Sequence, residues 1–253
     1  MRSFDKALAL LKNFRHHIIG RCNICGRRTI FLCKDLKTAR ESMFCLFCRS
    51  SSRDRHVAKL FLSLSAPSSA SISEITKKSG LSIYNTDTDD SFSAALRNYP
   101  TYVSSGLFPD IKPGTEIKER VFCQDLERLS FKSETFDVVI SEDIFEHVRD
   151  HGKGFREVYR VLKKGGFHIF TIPFLFDRKT LVRVDTSGPN DINLLPPEYH
   201  GDDIRSKILA YRTFGIDLYD LLNSIGFQTS VDFSTYADKS FGIVDSFVFA
   251  SKK

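Results

Sequence analysis

Two cysteine pairs, Cys22-Asn-Ile-Cys25 and Cys45-Leu-Phe-Cys48, carry the strongest chemical signal in the chain. Each is a C-x2-C knuckle, which turns two sulfurs towards one point. Two knuckles complete a tetrahedron of thiolates, the donor set of a zinc site. Four thiolates leave no open coordination position, so the expected Zn2+ is structural rather than catalytic. A metal also supplies stability that a segment of ~30 residues cannot draw from its own core. Cys33 and Cys123 read as small buried residues. A second cluster, Pro196-Pro-Glu-Tyr-His-Gly-Asp-Asp203, gathers His200 with three acids. His200 suits a general base on a hydroxyl or amine, with Glu198 or Asp202 orienting it. The same residues also suit a polar surface loop, and a metal site there is a third option.

The charge around these groups is uneven. Residues 1–64 hold 14 Lys and Arg against 4 Asp and Glu, a balance of +10, while the remainder carries −4. This is either a solvated basic face or a docking surface for an anionic partner such as RNA or a phosphorylated carrier. Arg49, Arg53 and Arg55, just past the last knuckle, are the candidates for phosphate contact. No run approaches the ~20 apolar residues of a membrane span, and the N-terminus does not read as a targeting signal. The expectation is a cytoplasmic protein whose cysteines bind metal rather than form disulfides.

Stepping along the chain, residues 1–19 read as a short amphipathic helix and Ser52–Leu64 as a second helix. Ser65-Ala-Pro-Ser-Ser-Ala-Ser71 has linker composition. Short apolar runs at 81–85, 101–107, 120–124, 136–141, 166–174, 227–236 and 243–251 read as strands. Between them, Phe155, Val158, Tyr159 and Leu162 recur at helical spacing, and Lys163-Lys-Gly-Gly166 stops that helix. Another helix carries Phe214, Leu218, Leu221, Leu222 and Ile225, and ends at Gly226. Alternating strands and helices define an α/β fold with a doubly wound, mostly parallel sheet of seven strands. The domains are expected at 1–64 (helix and four-cysteine zinc module), 65–79 (linker) and 80–253 (α/β domain). In such sheets ligands bind at the carboxyl ends of strands. Asn85, Asp125, Ser141 and Glu142 fall at or just past such ends. Asp125 also suits a helix cap or turn, and Glu142 a solvated helix start.

Phe136-Asp-Val-Val-Ile-Ser-Glu-Asp-Ile-Phe-Glu-His-Val148, Phe155 to Gly166 and Phe167-His-Ile-Phe-Thr-Ile-Pro173 resemble the fourth-to-fifth-strand region of class I S-adenosylmethionine-dependent methyltransferases. Glu146-His147 and Arg160-Val-Leu-Lys-Lys-Gly-Gly166 are the most specific parts, and the likeness extends over roughly residues 80–250. It implies a Rossmann-like methyltransferase fold and S-adenosylmethionine as cofactor. It places Asp125 and Leu126 in an adenine-contacting turn, and Ser141 and Glu142 where methyl transfer occurs. His147 either lines the cofactor site or caps a short helix. The stretch around His200, about residues 175–212, corresponds to an insertion that covers the active site in this family. Methyltransferases bearing zinc ribbons are also known as a type.

Two functions follow from this reading. One is methyl transfer from S-adenosylmethionine to an O or N nucleophile of a polysaccharide, a small molecule or RNA. The alternative is a catalytically degenerate relative whose basic zinc module binds nucleic acid or protein. It is favoured by the first turn, Ile83-Tyr-Asn-Thr-Asp-Thr-Asp-Asp90, which lacks the glycines that let the family's backbone approach the cofactor.

Overall fold

A computed structural model describes residues 10–75, 80–201, 207–234 and 238–253. The chain divides into two compact units. The first comprises Met1–Gly80, Asp89–Pro100 and Val231–Val248; the second comprises Leu81–Thr88, Thr101–Ser230 and Phe249–Lys253.

In the first unit, β1 (Ile18–Arg21), β2 (Arg28–Cys33) and β3 (Met43–Cys45) form an antiparallel sheet in that order. Along β2, Thr29, Phe31 and Cys33 are buried while Arg28 and Ile30 are exposed, the period-two pattern of a sheet covered on one face. The helix expected over 1–19 is shorter. Residues 1–9 lie outside the described residues, a 3-10 turn occupies Phe14–His16, and β1 starts at Ile18. The branched pair Ile18-Ile19 there joins a ladder with β2 instead of continuing a helix. The helix Ser52–Ser65 begins at a capping box in which Ser51 and Asp54 satisfy each other's amides. It buries Val57, Ala58, Phe61 and Leu62. Beyond it the chain returns to the first knuckle, where the amides of Ile72 and Ser73 donate to the carbonyls of Asn23 and Ile24 at 2.8 and 3.0 Å.

The second unit is built on a sheet whose strands are β4 (Ile83–Asn85), β5 (Tyr102–Gly106), β6 (Glu116–Lys118), β7 (Val121–Cys123), β8 (Phe136–Glu142) and β9 (Leu162–Thr171). Seven short strands follow: β10 (Phe174–Leu175), β11 (Leu181–Val182), β12 (Val184–Asp185), β13 (Ile192–Asn193), β14 (Tyr199–His200), β15 (Ile208–Leu209) and β16 (Arg212–Gly215). β17 (Gln228–Ser234) and β18 (Ser246–Lys252) complete the main sheet, whose order is β17-β18-β9-β8-β4-β5-β7-β6. β9, β8, β4, β5 and β7 are mutually parallel, and β18 runs antiparallel to β9. The architecture is the Rossmann-like methyltransferase fold. It has eight strands rather than seven, because β6 forms an antiparallel hairpin with β7. β6 is three residues long and wholly exposed, so no apolar pattern marks it.

Two boundaries also shift. The helix His151–Val161, capped by Asp150, passes at once into β9, and Gly165 absorbs the kink with φ 77°. Phe214 lies on β16, and the last helix starts only at Leu218. The stretch 175–212, read as irregular, instead contains ladders of two to four residues: β10 and β11 flank β16, β12 pairs with β13, and β14 with β15.

Candidate active site and metal centre

The four knuckle cysteines converge. Their sulfurs lie within 4.8 Å of one another, with Cys22–Cys48 at 3.6 Å and Cys25–Cys45 at 3.9 Å. Sulfurs bound to one zinc at ~2.3 Å are roughly 3.8 Å apart along a tetrahedral edge, so the donor set and its spacing fit the ion. Cys22 and Cys45 are fully buried, and Ser50 Oγ lies 3.2 Å from Cys48 Sγ.

Arg55 has a different role from the one expected. Its side chain is fully buried and donates to the carbonyls of Ser50, Met43, Phe241 and Gly242, all within the first unit. Such a guanidinium ties the second knuckle down and offers nothing to a phosphate. Arg53 pairs with Glu41 at 3.1 Å, and Arg49 stacks 4.3 Å over the Phe44 ring. Charge counted along the sequence therefore overstates the free basic surface.

In the second unit, register brings the strand ends into line: Asn85 faces Ser104 on β5 and Ile140 on β8, and Gly106 faces Cys123 on β7. Asn85 is buried; its Nδ2 donates to Tyr102 Oη at 3.1 Å and its Oδ1 accepts the Asp87 amide at 3.3 Å. The amide therefore shapes the first turn from within. Asp125 and Leu126 are half-buried just past β7, and Asp125 Oδ1 accepts the Glu127 amide at 2.9 Å. This turn is braced by the helix beside it. Arg160 donates to the carbonyls of Leu129 and Phe131, and Glu157 accepts the Leu129 amide. Arg160, part of the Arg-Val-Leu-Lys-Lys-Gly-Gly motif, is a brace rather than a ligand contact.

Glu142 ends β8 half-buried, and Asp143 then turns the chain with φ 49°. Ser141 points elsewhere. Its hydroxyl lies 2.9 Å from His168 Nε2 in the buried layer, so it is spent on the core. Burial pushes the His168 ring down to about 3, which keeps it neutral.

Past β8, a 3-10 turn at Phe145–His147 presents two side chains to β14. Buried Arg212 fixes this turn by donating to the Val148 carbonyl at 2.5 Å and the Arg149 carbonyl at 2.8 Å. Glu146 is fully buried, 3.7 Å from His147 Nε2 and 3.6 Å from His200 Nδ1. His147 Nδ1 lies 2.8 Å from the Leu209 carbonyl, His147 Nε2 3.1 Å from His200 Nδ1, and His200 Nε2 3.1 Å from Glu198 Oε1. A carbonyl and a carboxylate only accept, so both outer nitrogens carry protons, and a third proton sits between the rings. Three protons on two imidazoles make one positive charge. Glu146 first, and then Glu198, hold it on His200 up to about pH 9 against the opposing effect of burial.

Sequence reading singled out His147 and His200 separately; the structure joins them through the β14–β15 hairpin. Asp202 and Asp203 lie outside the described residues. Glu146 was visible only as half of a family motif. Arg212 gave no sequence signal, because a buried guanidinium and a surface one look alike in a sequence.

Residues 66–170 match the family model described as a methyltransferase domain. The chain is 29% identical over 118 residues to an uncharacterized protein of Methanocaldococcus jannaschii, covering 46% of this chain and 45% of that one. It is 39% identical over 64 residues to the sarcosine/dimethylglycine N-methyltransferase of Aphanothece halophytica, covering 25% and 23%. The chain thus spans less than half the length of these curated relatives. Among solved structures it is similar to an S-adenosylmethionine-dependent methyltransferase from Mesorhizobium loti, with TM-score 0.45, 15% identity and coverage of 75% and 98%. The match to the methyltransferase-domain model spans β4 to β9, the strands whose ends frame the candidate site. No helix among the described residues is long and apolar enough to cross a membrane.

Proposed function

We propose that this chain transfers a methyl group from S-adenosylmethionine to an oxygen or nitrogen nucleophile, while a structural Zn2+ on Cys22, Cys25, Cys45 and Cys48 holds the N-terminal unit. The alignment of the ends of β4, β7 and β8 within a methyltransferase-family domain carries this reading. Asp125, its carboxylate steadied by the Glu127 amide, is the candidate acceptor for the adenine amino group. Leu126 would pack against that ring, and Glu142 faces the transfer region. S-adenosylmethionine supplies an activated methyl on a sulfonium; the protein's share is alignment and removal of one proton. Asn85 and Ser141 support the backbone around the site rather than touch the cofactor.

His200 belongs to the acceptor side, but not as a free base. A base needs an unprotonated nitrogen, and each nitrogen of the His147–His200 pair is engaged in the relay to Leu209 and Glu198.

Calorimetric titration of the purified full chain with S-adenosylmethionine tests the proposal. Binding is expected, and Asp125→Ala should weaken it by about 1–3 kcal/mol. Absence of binding at millimolar cofactor would favour the second reading, a scaffold whose zinc unit binds nucleic acid or protein. One observation favours that reading: the glycine-free first turn, where Asn85 and Thr86 are both buried.

A further inference from the structure

We propose that Glu146, His147 and His200 bind a divalent transition-metal ion, forming a metal centre separate from the cysteine cluster. Three donor atoms converge there: Glu146 Oε1, His147 Nε2 and His200 Nδ1, separated by 3.1, 3.6 and 3.7 Å. Ligands held ~2.1 Å from one ion are roughly 3.0 Å apart at adjacent octahedral positions and roughly 3.4 Å in a tetrahedron. The triangle already has close to the spacing of one face of a coordination shell.

Glu146 is the independent observation. Its side chain is fully buried, and neither carboxylate oxygen is within hydrogen-bonding distance of a donor among the described residues. A buried carboxylate is costly unless a cation or donors compensate it. Among the described residues its cationic partners within 4 Å are the His147 and His200 imidazoles, which suit a metal better than they suit a second carboxylate.

The surroundings have the form of ligand support. Imidazole ligands have their second nitrogen fixed by a carbonyl or carboxylate, which sets ring orientation. His147 Nδ1 is held by the Leu209 carbonyl and His200 Nε2 by Glu198, which Arg183 clamps in turn at 2.5 Å. The backbone is equally constrained. Arg212 pins the turn carrying Glu146 and His147, and the Tyr211 amide donates to the Glu146 carbonyl at 2.9 Å. Two imidazoles and one carboxylate favour manganese, iron, cobalt or zinc over calcium or magnesium. Binding displaces the proton between the two rings.

Three protein ligands leave open positions. The ion's role there rests on the methyl-transfer reading: an acceptor hydroxyl bound at an open position loses its proton to solvent more readily. Its oxygen then forms the bond to the methyl carbon while the carbon–sulfur bond breaks and sulfur keeps the electron pair. An oxygen acceptor is thereby preferred over nitrogen.

Mn2+ is the probe, because thiolates are poor partners for it and the zinc-loaded cysteine cluster stays silent. Mn2+ is titrated into the zinc-loaded full chain and followed by electron paramagnetic resonance. The expected result is one Mn2+ per chain. His200→Ala, His147→Gln and Glu146→Gln should each weaken binding by at least about 100-fold, and Glu198→Gln by about 10-fold. Retained zinc content and an unchanged circular dichroism spectrum show that each variant is folded. If His200→Ala unfolds, Glu198→Gln carries the comparison alone. No saturable Mn2+ binding, or binding indifferent to these changes in folded protein, overturns the site. Mn2+ binding in a chain that does not bind S-adenosylmethionine upholds the site and removes only its role in transfer.

Discussion

His147 and His200, separated by 53 positions in the chain, meet edge to face with ring centroids 4.8 Å apart and planes at 89°. Their contact gives the buried Glu146 carboxylate a positive neighbour. In zinc-loaded protein without other metal, His200→Ala should therefore destabilise the fold, and adding Glu146→Gln should restore part of the loss. A double-mutant cycle by urea unfolding should report a coupling of about 1–3 kcal/mol. A coupling near zero would mean that water, not His200, satisfies the carboxylate.

Arg55 is expected to be the most sensitive arginine of the N-terminal unit. Arg55→Met removes a buried donor from the carbonyls of Ser50, Met43, Phe241 and Gly242, of which Ser50 keeps the Cys45 amide. The cost should be on the order of 3 kcal/mol or more. Arg53→Glu, at a partly exposed ion pair, should cost under about 1 kcal/mol. Comparable melting temperatures for the two variants would contradict the buried role. Any salt-dependence test of anion docking must accordingly alter Arg49 and Arg53 while leaving Arg55 in place.

Metal removal should unfold the first unit. Cys45→Ser, at a fully buried sulfur, is expected to abolish the zinc held by the knuckles and expose the sheet β1-β2-β3 to proteolysis. Metal analysis of protein never exposed to chelator should find zinc in the wild type. A protease-resistant, zinc-free Cys45→Ser protein would mean that the cysteines pack as ordinary core residues.

Acid should weaken the second unit through its histidines. His168 is pushed down to about 3 and His151 to about 4, both mainly by burial. Below the ordinary value of 6.5 the unfolded chain takes up protons that these folded rings refuse. Stability is thus full above pH ~6.5 and falls as pH drops towards the folded values. His168 alone contributes a slope of about 1.4 kcal/mol per pH unit between them. His168→Gln should flatten the stability–pH curve by about that slope, even if its absolute stability is lower. An unchanged slope would show that the ring is solvated.

How far the sequence exposed these features depended on their kind. Strands β8 and β9 and the helix after Asp150 were legible because their apolar residues follow one period for many positions. The Cys22–Cys48 spacing was legible because metal geometry is local to each knuckle. Ladders such as β14–β15 were not, since two residues cannot display a period. The Glu146–His147–His200 triangle was half-legible. The Glu-His pair stood out as a motif, but only the pairing of Tyr199 with Leu209 brings His200 and the Leu209 carbonyl to it. Arg55 and Arg212 were misleading, because burial of a guanidinium depends on carbonyls brought in from elsewhere in the fold.

The contacts of Arg55 bear on how the chain comes into being. Its donors end on Phe241 and Gly242, while Ser52 Oγ bonds Val244 and His56 lies 3.0 Å from Asp232. The residues that complete the four-cysteine unit are therefore synthesised long after the cysteines themselves. The cysteines can capture metal early in synthesis, yet the guanidinium beside them waits nearly two hundred residues for two of its four acceptors. A fragment ending at residue 64 would carry the cysteines without the Phe241 and Gly242 carbonyls that help satisfy the buried Arg55 guanidinium, and nascent chains of intermediate length would share that defect.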